Sequence, residues 1–320
     1  MELIHCGRIM KGVGGLYQVK LTPDAASSAG LDPNTPIACR AKGAFRHENL
    51  TPLVGDIVSL EFEQTGESER DAGAMISDIA ERKNALIRPP LANLDIMFVT
   101  FAAAKPAPVL ETVDKLICIL EHHHITPVIV VTKSDTKTDY AEELCALYQN
   151  AGFDAFCTSS ADGSGMDALR AYIAEHCEGK ISAFAGASGV GKSTLLNALF
   201  PSLALQTGEV SRKIERGKHT TRTVELFPMP GTDHGLIADT PGFSMLDFAR
   251  FHFFTKEDLP LTMREFVPLL GQCRFTKCSH TKEQGCAILD AVKRGEIAKS
   301  RHDSFIAIYD VLKNKHDWDT

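Results

Sequence analysis

Gly186-Ala187-Ser188-Gly189-Val190-Gly191-Lys192-Ser193 satisfies every fixed position of the pattern G-x-x-x-x-G-K-[ST], and it stands between an apolar run, Ile181 to Ala185, and the stretch Thr194 to Phe200. That order reads as strand, glycine-rich turn and helix, the setting in which the pattern cradles phosphate. The glycines let the backbone curl so that successive N–H groups, those of Ala187, Ser188 and Val190 among them, point inward at phosphate oxygens. The following helix, opening at Lys192, Ser193 and Thr194, adds its own first-turn N–H groups and positive dipole end. Lys192 is placed for the β- and γ-phosphates and the Ser193 hydroxyl for Mg²⁺. A glycine turn that binds nothing is the competing reading, and the complete pattern in its strand-to-helix context weighs against it.

Other short strings fall into place around this loop. Asp239-Thr-Pro-Gly242 ends an apolar strand 46 residues after Ser193, where a nucleotidase of this class puts a carboxylate that holds Mg²⁺ through water and a glycine N–H that faces the γ-phosphate. Between them, Gly217-Lys-His-Thr-Thr-Arg222 offers a threonine for the Mg²⁺ shell, Thr221 in preference to Thr220. Thr132-Lys133-Ser134-Asp135 follows the apolar run Val128 to Val131, so it lies at a strand's carboxyl end, where ligands bind in such sheets. A carboxylate there accepts both the N1–H and the 2-amino hydrogen of guanine, whereas adenine leaves it unpaired. The Lys133 stem can pack on the base. Ser159-Ser160, after the next strand, is placed to offer N–H groups to the guanine oxygen, with an ordinary helix N-cap at Ser159 as the alternative.

Length and composition bound the rest. The 320 residues suffice for two or three domains, and 44% apolar with 23% charged residues is ordinary for a globular chain. No apolar run nears the roughly 18 residues of a membrane span and no secretory leader opens the sequence, so a cytoplasmic protein without a membrane partner is expected. A formal charge of −7 excludes a general nucleic-acid binder, which needs a basic face. RNA contact must come from local patches such as Arg212 to Arg222, unless that stretch is only a solvated loop. Nine cysteines, scattered except for three between 273 and 286, argue for reduced thiols and one metal site over a disulfide framework.

The chain has three rhythms. Residues 1–87 read as short strands, Leu16–Leu21, Pro36–Arg40 and Asp56–Phe62 among them, with a turn at Gly12–Gly15 and a surface loop at Gln64–Gly73. About five such strands suit a small closed barrel, an OB-fold first among the candidates. After Pro89-Pro90, strands at Leu94–Phe101, Pro127–Val131, Phe153–Cys157 and Ile181–Ala185 alternate with helices at Val109–His123, up to Asn150, and Met166–His176. That alternation means an α/β domain over 88–250, with a strand pair at Thr223–Phe227 and Gly235–Asp239. The triple His122-His123-His124 suits a helix C-terminus better than one metal ion. Residues 251–320 read as a helical segment ending in one helix, Ala287–Val311. Within it Cys273, Cys278, His280 and Cys286 have the spacing Cys-x4-Cys-x-His-x5-Cys. Three thiolates and one imidazole make a closed tetrahedral set, the mark of one structural Zn²⁺, whose binding would help order a tail with little core of its own.

Phosphate loop, threonine loop, Asp-Thr-Pro-Gly, a Lys-x-Asp base reader and a Ser-Ser loop are the five signatures of GTPases, but here the base-reading pair precedes the phosphate loop. With a barrel in front and the cysteine–histidine set behind, the chain resembles the circularly permuted, ribosome small-subunit-dependent GTPases of the RsgA/YjeQ family. The resemblance implies an OB-fold barrel, a circularly permuted P-loop GTPase domain and a C-terminal zinc-binding domain. It implies GTP as substrate and GDP as product, and a monomer acting in late maturation of the small ribosomal subunit. Barrel and tail would then grip ribosomal RNA, and GTP hydrolysis would time release. Two features depart from the family pattern. Thr132 stands where a longer asparagine usually bridges base and phosphate loop, which shifts guanine selectivity onto Asp135. Arg301-His-Asp-Ser-Phe305 stands where tyrosines are frequent and reads as a packing variation. The place of the water-orienting glutamine of Ras-like enzymes holds Phe243, so His219 is the candidate to position water, its competing role being contact with phosphate or RNA. A P-loop ATPase or small-molecule kinase, or a nucleotide-gated RNA-binding module with negligible turnover, are the alternatives.

Overall fold

The computed structural model describes residues 3–43, 45, 50–62, 74–86, 90–201, 224–239 and 254–314. The chain divides into two compact units, residues 1–95, 177–183 and 207–241 in one, and 96–176, 184–206 and 242–320 in the other.

In the first unit, β1 (Leu3–Val13) and β2 (Leu16–Leu21) form a hairpin whose turn, Gly14-Gly15, has positive φ at both residues, as such tight hairpin turns require. A short helix, α1 (Pro23–Ser28), leads to β3 (Ile37–Ala41), then β4 (Ile57–Phe62) and β5 (Ala74–Ile79). β1 pairs with β2, β2 with β3, β3 with β5 in parallel, β5 with β4, and β4 back with β1. The ring closes, as the expected barrel requires, with Ile9, Val19, Leu60 and Ile76 filling it without exposure. Closure also removes every free sheet edge within the ring. Asp56, fully buried, is held by a two-pronged ion pair from Arg82 (2.7 and 2.8 Å). A two-stranded ribbon, β6 (Ala85–Leu86) with β7 (Leu91–Ala92), follows the barrel. The loop read at 64–73 lies outside the described residues.

In the second unit, β8 (Ile96–Ala102) is buried along its whole length, as a strand covered on both faces must be. Then come α2 (Leu110–His122), β9 (Thr126–Thr132), α3 (Thr138–Asn150), β10 (Ala155–Cys157) and α4 (Met166–His176). β8, β9 and β10 pair in parallel, in a register that sets Ala102 beside Thr132 and Cys157 beside Val131. Their carboxyl ends are therefore level. β11 (Ile181–Gly186) is also buried throughout, and α5 (Lys192–Leu199) follows it. Within the first unit, β12 (Glu225–Pro228) and β13 (Leu236–Asp239) make the expected antiparallel pair, and β13 runs parallel to the start of β11.

The tail departs from its expected outline. Residues 259–262 and 267–269 form single 3₁₀ turns, and the closing helix is two helices, α6 (Ala287–Arg294) and α7 (Lys299–Lys313). Gly295 makes the break: its φ of +76° suits glycine alone at no cost, and its N–H returns to Ala291 and Val292 carbonyls to cap α6. Phe266, Phe305 and Ile308 share one core with Cys118 of α2.

Through that core runs a buried ion network. Arg301 of α7, wholly inaccessible, donates to Asp114 of α2 at 2.6 Å and to Glu265 at 2.7 and 3.2 Å, while the Tyr148 hydroxyl donates to Asp114 at 3.0 Å. Arg264 packs over the Phe153 ring at 4.4 Å and Arg301 lies 5.5 Å from it. Burial works against the Arg301 charge, but its two carboxylates raise the guanidinium above its ordinary value and hold it charged. Removing one member leaves the others charged and unsolvated. Arg301→Ala is expected to lower the unfolding free energy of this unit by about 3–5 kcal/mol in denaturant titrations, and a loss under about 1 kcal/mol would contradict the assignment.

Candidate guanine-nucleotide site and metal centre

The phosphate loop leaves β11 at Gly186, where the backbone presses against Thr100 of β8; an added Cβ would lie 2.6 Å from the Thr100 carbonyl oxygen. Gly189 and Gly191 take φ of +79° and +95°, a conformation that L side chains resist. Gly191 is the N-cap of α5 and gives no side-chain cap, so the first N–H groups of the helix, with exposed Ser193 and Thr194 among them, face outward. Ser188 and Gly189 are exposed and Val190 is buried as the loop's anchor.

The segment Thr132–Asp135 is tied to this loop. Thr132 closes β9, and its hydroxyl lies 2.5 Å from the Val190 carbonyl oxygen and 3.2 Å from that of Phe101. The short side chain does reach the phosphate loop, a bridge that the sequence reading reserved for a longer asparagine. Lys133 takes a left-handed backbone conformation and donates to the carbonyls of Gly189 at 2.8 Å and Lys105 at 2.6 Å. Its stem thus spans from one motif to the other. Ser134 is buried, its N–H donating to the Thr158 carbonyl at 3.2 Å, and the turn Ser134–Thr136 then presents Asp135 to solvent. An exposed carboxylate at the carboxyl end of a parallel strand is free to receive a ligand's donors.

Beyond β10, Ser159 is buried; its amide donates to the Ser164 carbonyl at 3.0 Å and its hydroxyl accepts from the Ala161 amide at 3.1 Å. The serine thus caps its own loop, α4 beginning only at Met166, and Ser160 is the exposed member of the pair. Gly165 presses its α-carbon on the Cys157 carbonyl to seat this loop. His219, Thr220, Thr221, Gly242, Phe243 and the basic stretch 212–222 lie outside the described residues. Of Asp239 the backbone is described, as the last residue of β13.

The four residues of the tail meet in one place, their ligand atoms all within 4.8 Å of one another. His280 Nδ1 lies 3.6 Å from Cys273 Sγ and 3.5 Å from Cys286 Sγ, and those two sulfurs are 3.9 Å apart. Zinc bonds of about 2.3 Å to sulfur and about 2.1 Å to nitrogen, arranged tetrahedrally, give edges of about 3.8 Å and about 3.6 Å. The three edges among Cys273, His280 and Cys286 match the ion, and Cys278 Sγ lies within 4.8 Å of the other ligand atoms. The Ala287 N–H points at Cys273 Sγ (3.4 Å), and Cys286 is the N-cap of α6, so amide dipoles favour thiolates here. Burial pushes the Cys278 thiol up to about 12, and the neighbouring sulfurs add to it; a bound cation would act in the opposite sense and favour the thiolate. Glu283 accepts from the Ser279 hydroxyl and from the Ser279, Thr281 and Lys282 amides and folds the loop; burial notwithstanding, these bonds, the hydroxyl's first among them, bring it down to about 2. The His302 ring meets the His280 carbonyl at 2.8 Å and links the loop to α7. Sequence reading passed over Glu283, whose signal is its place between two ligands, and read Arg301 as part of a packing variation without its ion partners, which lie far off in the chain.

The comparisons agree with this architecture. The RsgA GTPase family model matches residues 79–249, and the RsgA N-terminal domain model matches residues 6–69. The chain belongs to the RsgA GTPase family. The small ribosomal subunit biogenesis GTPase RsgA of Caldanaerobacter subterraneus is 39% identical over 98% of both chains, and that of Bacillus subtilis is 38% identical over 97% of this chain and 98% of its own. Among solved structures, YjeQ from Thermotoga maritima superposes with a TM-score of 0.77 at 28% identity, covering 98% of this chain and 99% of that one. YloQ, a circularly permuted GTPase, superposes at 0.72 with 33% identity over 98% and 96%. In an RsgA GTPase the order of motifs, base reader before phosphate loop, makes a bridge such as that of Thr132 a link between distant stretches of chain. Thr132→Val keeps the shape and removes the hydroxyl. It is expected to weaken nucleotide binding by about 1 kcal/mol, the worth of one hydrogen bond; unchanged GDP affinity in a titration would contradict the bridge.

Proposed function

We propose that the chain is a cytoplasmic GTP-hydrolysing factor of late small-subunit assembly, acting as a monomer on GTP and on the small ribosomal subunit with its RNA. The observation that carries the reading is the pair of tethers from Thr132 and Lys133 to the phosphate loop, which make a base reader and a phosphate cradle one site. In this reading the division of labour follows the motifs, with a barrel over 1–87, a nucleotide domain over 88–250 and a zinc-binding tail over 251–320. Gly186 to Thr194 supply backbone donors, and Lys192 a charge, for the phosphates. Asp135 accepts guanine's two donors, with Lys133 along the base and, of the Ser159-Ser160 pair, the exposed Ser160 at its oxygen, since the Ser159 amide already donates to the Ser164 carbonyl. Ser193, Thr221 and Asp239 would hold Mg²⁺, which when bound neutralises charge on the β- and γ-phosphates. The Gly242 amide would donate to the γ-phosphate. Phosphoryl transfer asks the protein mainly for position and electrostatic stabilisation. Phe243 cannot orient water, so intrinsic turnover is slow, and His219 is the group that positions water when the small subunit is bound. One Zn²⁺ on Cys273, Cys278, His280 and Cys286 is structural, since four protein ligands leave no open position.

Multiple-turnover phosphate release is expected to rise by a factor on the order of 10² with purified small subunits, and not with large subunits or naked RNA. His219→Ala is expected to lose that stimulation with GTP affinity preserved. Equal stimulation by all three additions would overturn the assignment. Elemental analysis is expected to find one zinc per chain, lost in Cys278→Ser while GDP binding survives; an unchanged zinc content in that variant would contradict the metal set.

A further inference from the structure

The expectation of reduced thiols throughout meets an exception beside the base-reading segment. Cys145 of α3 and Cys157, the last residue of β10, join in a disulfide, their Cα atoms 6.4 Å apart, a separation that disulfides adopt without backbone movement. α3 begins just after the turn that carries Asp135, and Cys157 directly precedes Thr158-Ser159-Ser160. The two segments already share the Ser134-to-Thr158 hydrogen bond (3.2 Å), and the Thr158 amide donates to Val131 at 2.7 Å. The disulfide closes a second link between them.

The pair also fits its reduced form. A Cys157 thiol has the Ala141 carbonyl of α3 as acceptor at 3.1 Å, so the strand keeps its seat on the helix when the bond opens. Cys157 is half-buried and meets an incoming oxidant, while Cys145, 6% exposed, lies behind it as the resolving thiol. The remaining thiols of described side chains are differently disposed. Cys39 and Cys118 are inaccessible, with burial pushing both up to about 12, Cys177 is inaccessible, and the other three belong to the metal set. Where the compartment is reducing, a protein disulfide is as a rule transient and redox-sensing.

We propose that Cys145 and Cys157 form a reversible oxidative modification site that couples low-molecular-weight disulfides, of the glutathione kind, to guanine-nucleotide affinity. The Cys157 thiolate attacks one sulfur of the oxidant and expels a thiolate. The Cys145 thiolate then attacks the mixed disulfide at Cys157 and expels the second. Two protein thiols lose two electrons and two protons, and the oxidant leaves as two thiols. The closed bond holds the Asp135 turn and the Ser160 loop in the arrangement that receives the base, so the oxidised form binds GDP more tightly; this coupling rests on the assignment of Asp135 and Ser160 to guanine.

The test takes the full-length, zinc-loaded protein through buffers of reduced and oxidised glutathione. Non-reducing peptide mapping follows the Cys145–Cys157 linkage, GDP and ADP are titrated against both forms, and zinc content is checked in each. The linkage is expected to form and reverse, with GDP affinity about 3- to 10-fold tighter in the oxidised form, as for a preorganised site. Cys145→Ser with Cys157→Ser, and Cys145→Ala alone as a second variant, are expected to bind GDP equally in both buffers. Absence of the linked peptide, equal GDP affinity in the two forms, or a redox response that survives in the variants would overturn the proposal. Loss of GDP preference over ADP would overturn it too, but by removing the base assignment, which the peptide map does not touch.

Discussion

The Thr132 hydroxyl reaches the Val190 carbonyl across 58 residues of chain. In a permuted order the base reader and the phosphate loop are not neighbours in sequence, so only sheet register and such cross-links bring them together. Register supplies the coarse alignment. Ala102, Thr132 and Cys157 end their strands at one level, and ligands of open α/β sheets bind beyond the carboxyl ends. The hydroxyl and the Lys133 ammonium supply the fine alignment, each ending on a carbonyl of the phosphate loop. Those carbonyls point away from the amides that face an anion, so tethering them helps aim the cradle.

A second constraint lies under the tail. Zinc thiolate clusters order a few residues around themselves, but they do not attach a segment to its neighbour. Arg301 does that here, joining Asp114 of α2 to Glu265 under the aromatic rings of Tyr148 and Phe153. The desolvation of three charges offsets most of their attraction. The network therefore specifies orientation more than it adds stability, because only one arrangement satisfies the guanidinium fork on both sides. Phe305 one turn on, fully buried and worth about 1.5–3 kcal/mol, fills the space between the metal loop and α2. The metal loop reaches α7 through His302. Metal centre and nucleotide-domain helix are thus parts of one packed core.

What could be read in advance follows from the range of each signal. The closed barrel, the parallel strands, the helix limits at Met166 and His176 and the gathering of Cys273, Cys278, His280 and Cys286 all rest on local periodicity or fixed spacing, and the structure reproduces them. The single helix expected over 287–311 failed on one local detail, since Gly295 reads as a tolerable helix residue until its left-handed cap is seen. The ion network of Arg301, which the sequence showed only as a packing variation, was illegible for a different reason. Its partners lie 187 and 36 residues away, and a buried arginine in a polar stretch resembles a surface one. Likewise, the reach of Thr132 depends on how closely two strands approach, which side-chain length alone does not tell. The meeting of Cys145 with Cys157 depends on helix-to-strand packing, and scattered cysteines carry no mark of it.

The central claim is that these distant segments form one guanine-reading site, and base exchange at Asp135 tests it most directly. GDP, ADP and XDP are titrated calorimetrically against the wild type and Asp135→Asn. The account predicts that the wild type binds GDP and not ADP, and that Asp135→Asn loses roughly 2–4 kcal/mol for GDP while gaining XDP, whose 2-position accepts where guanine donates. Equal binding of GDP and ADP by the wild type, or an Asp135→Asn variant with unchanged preference, would contradict it.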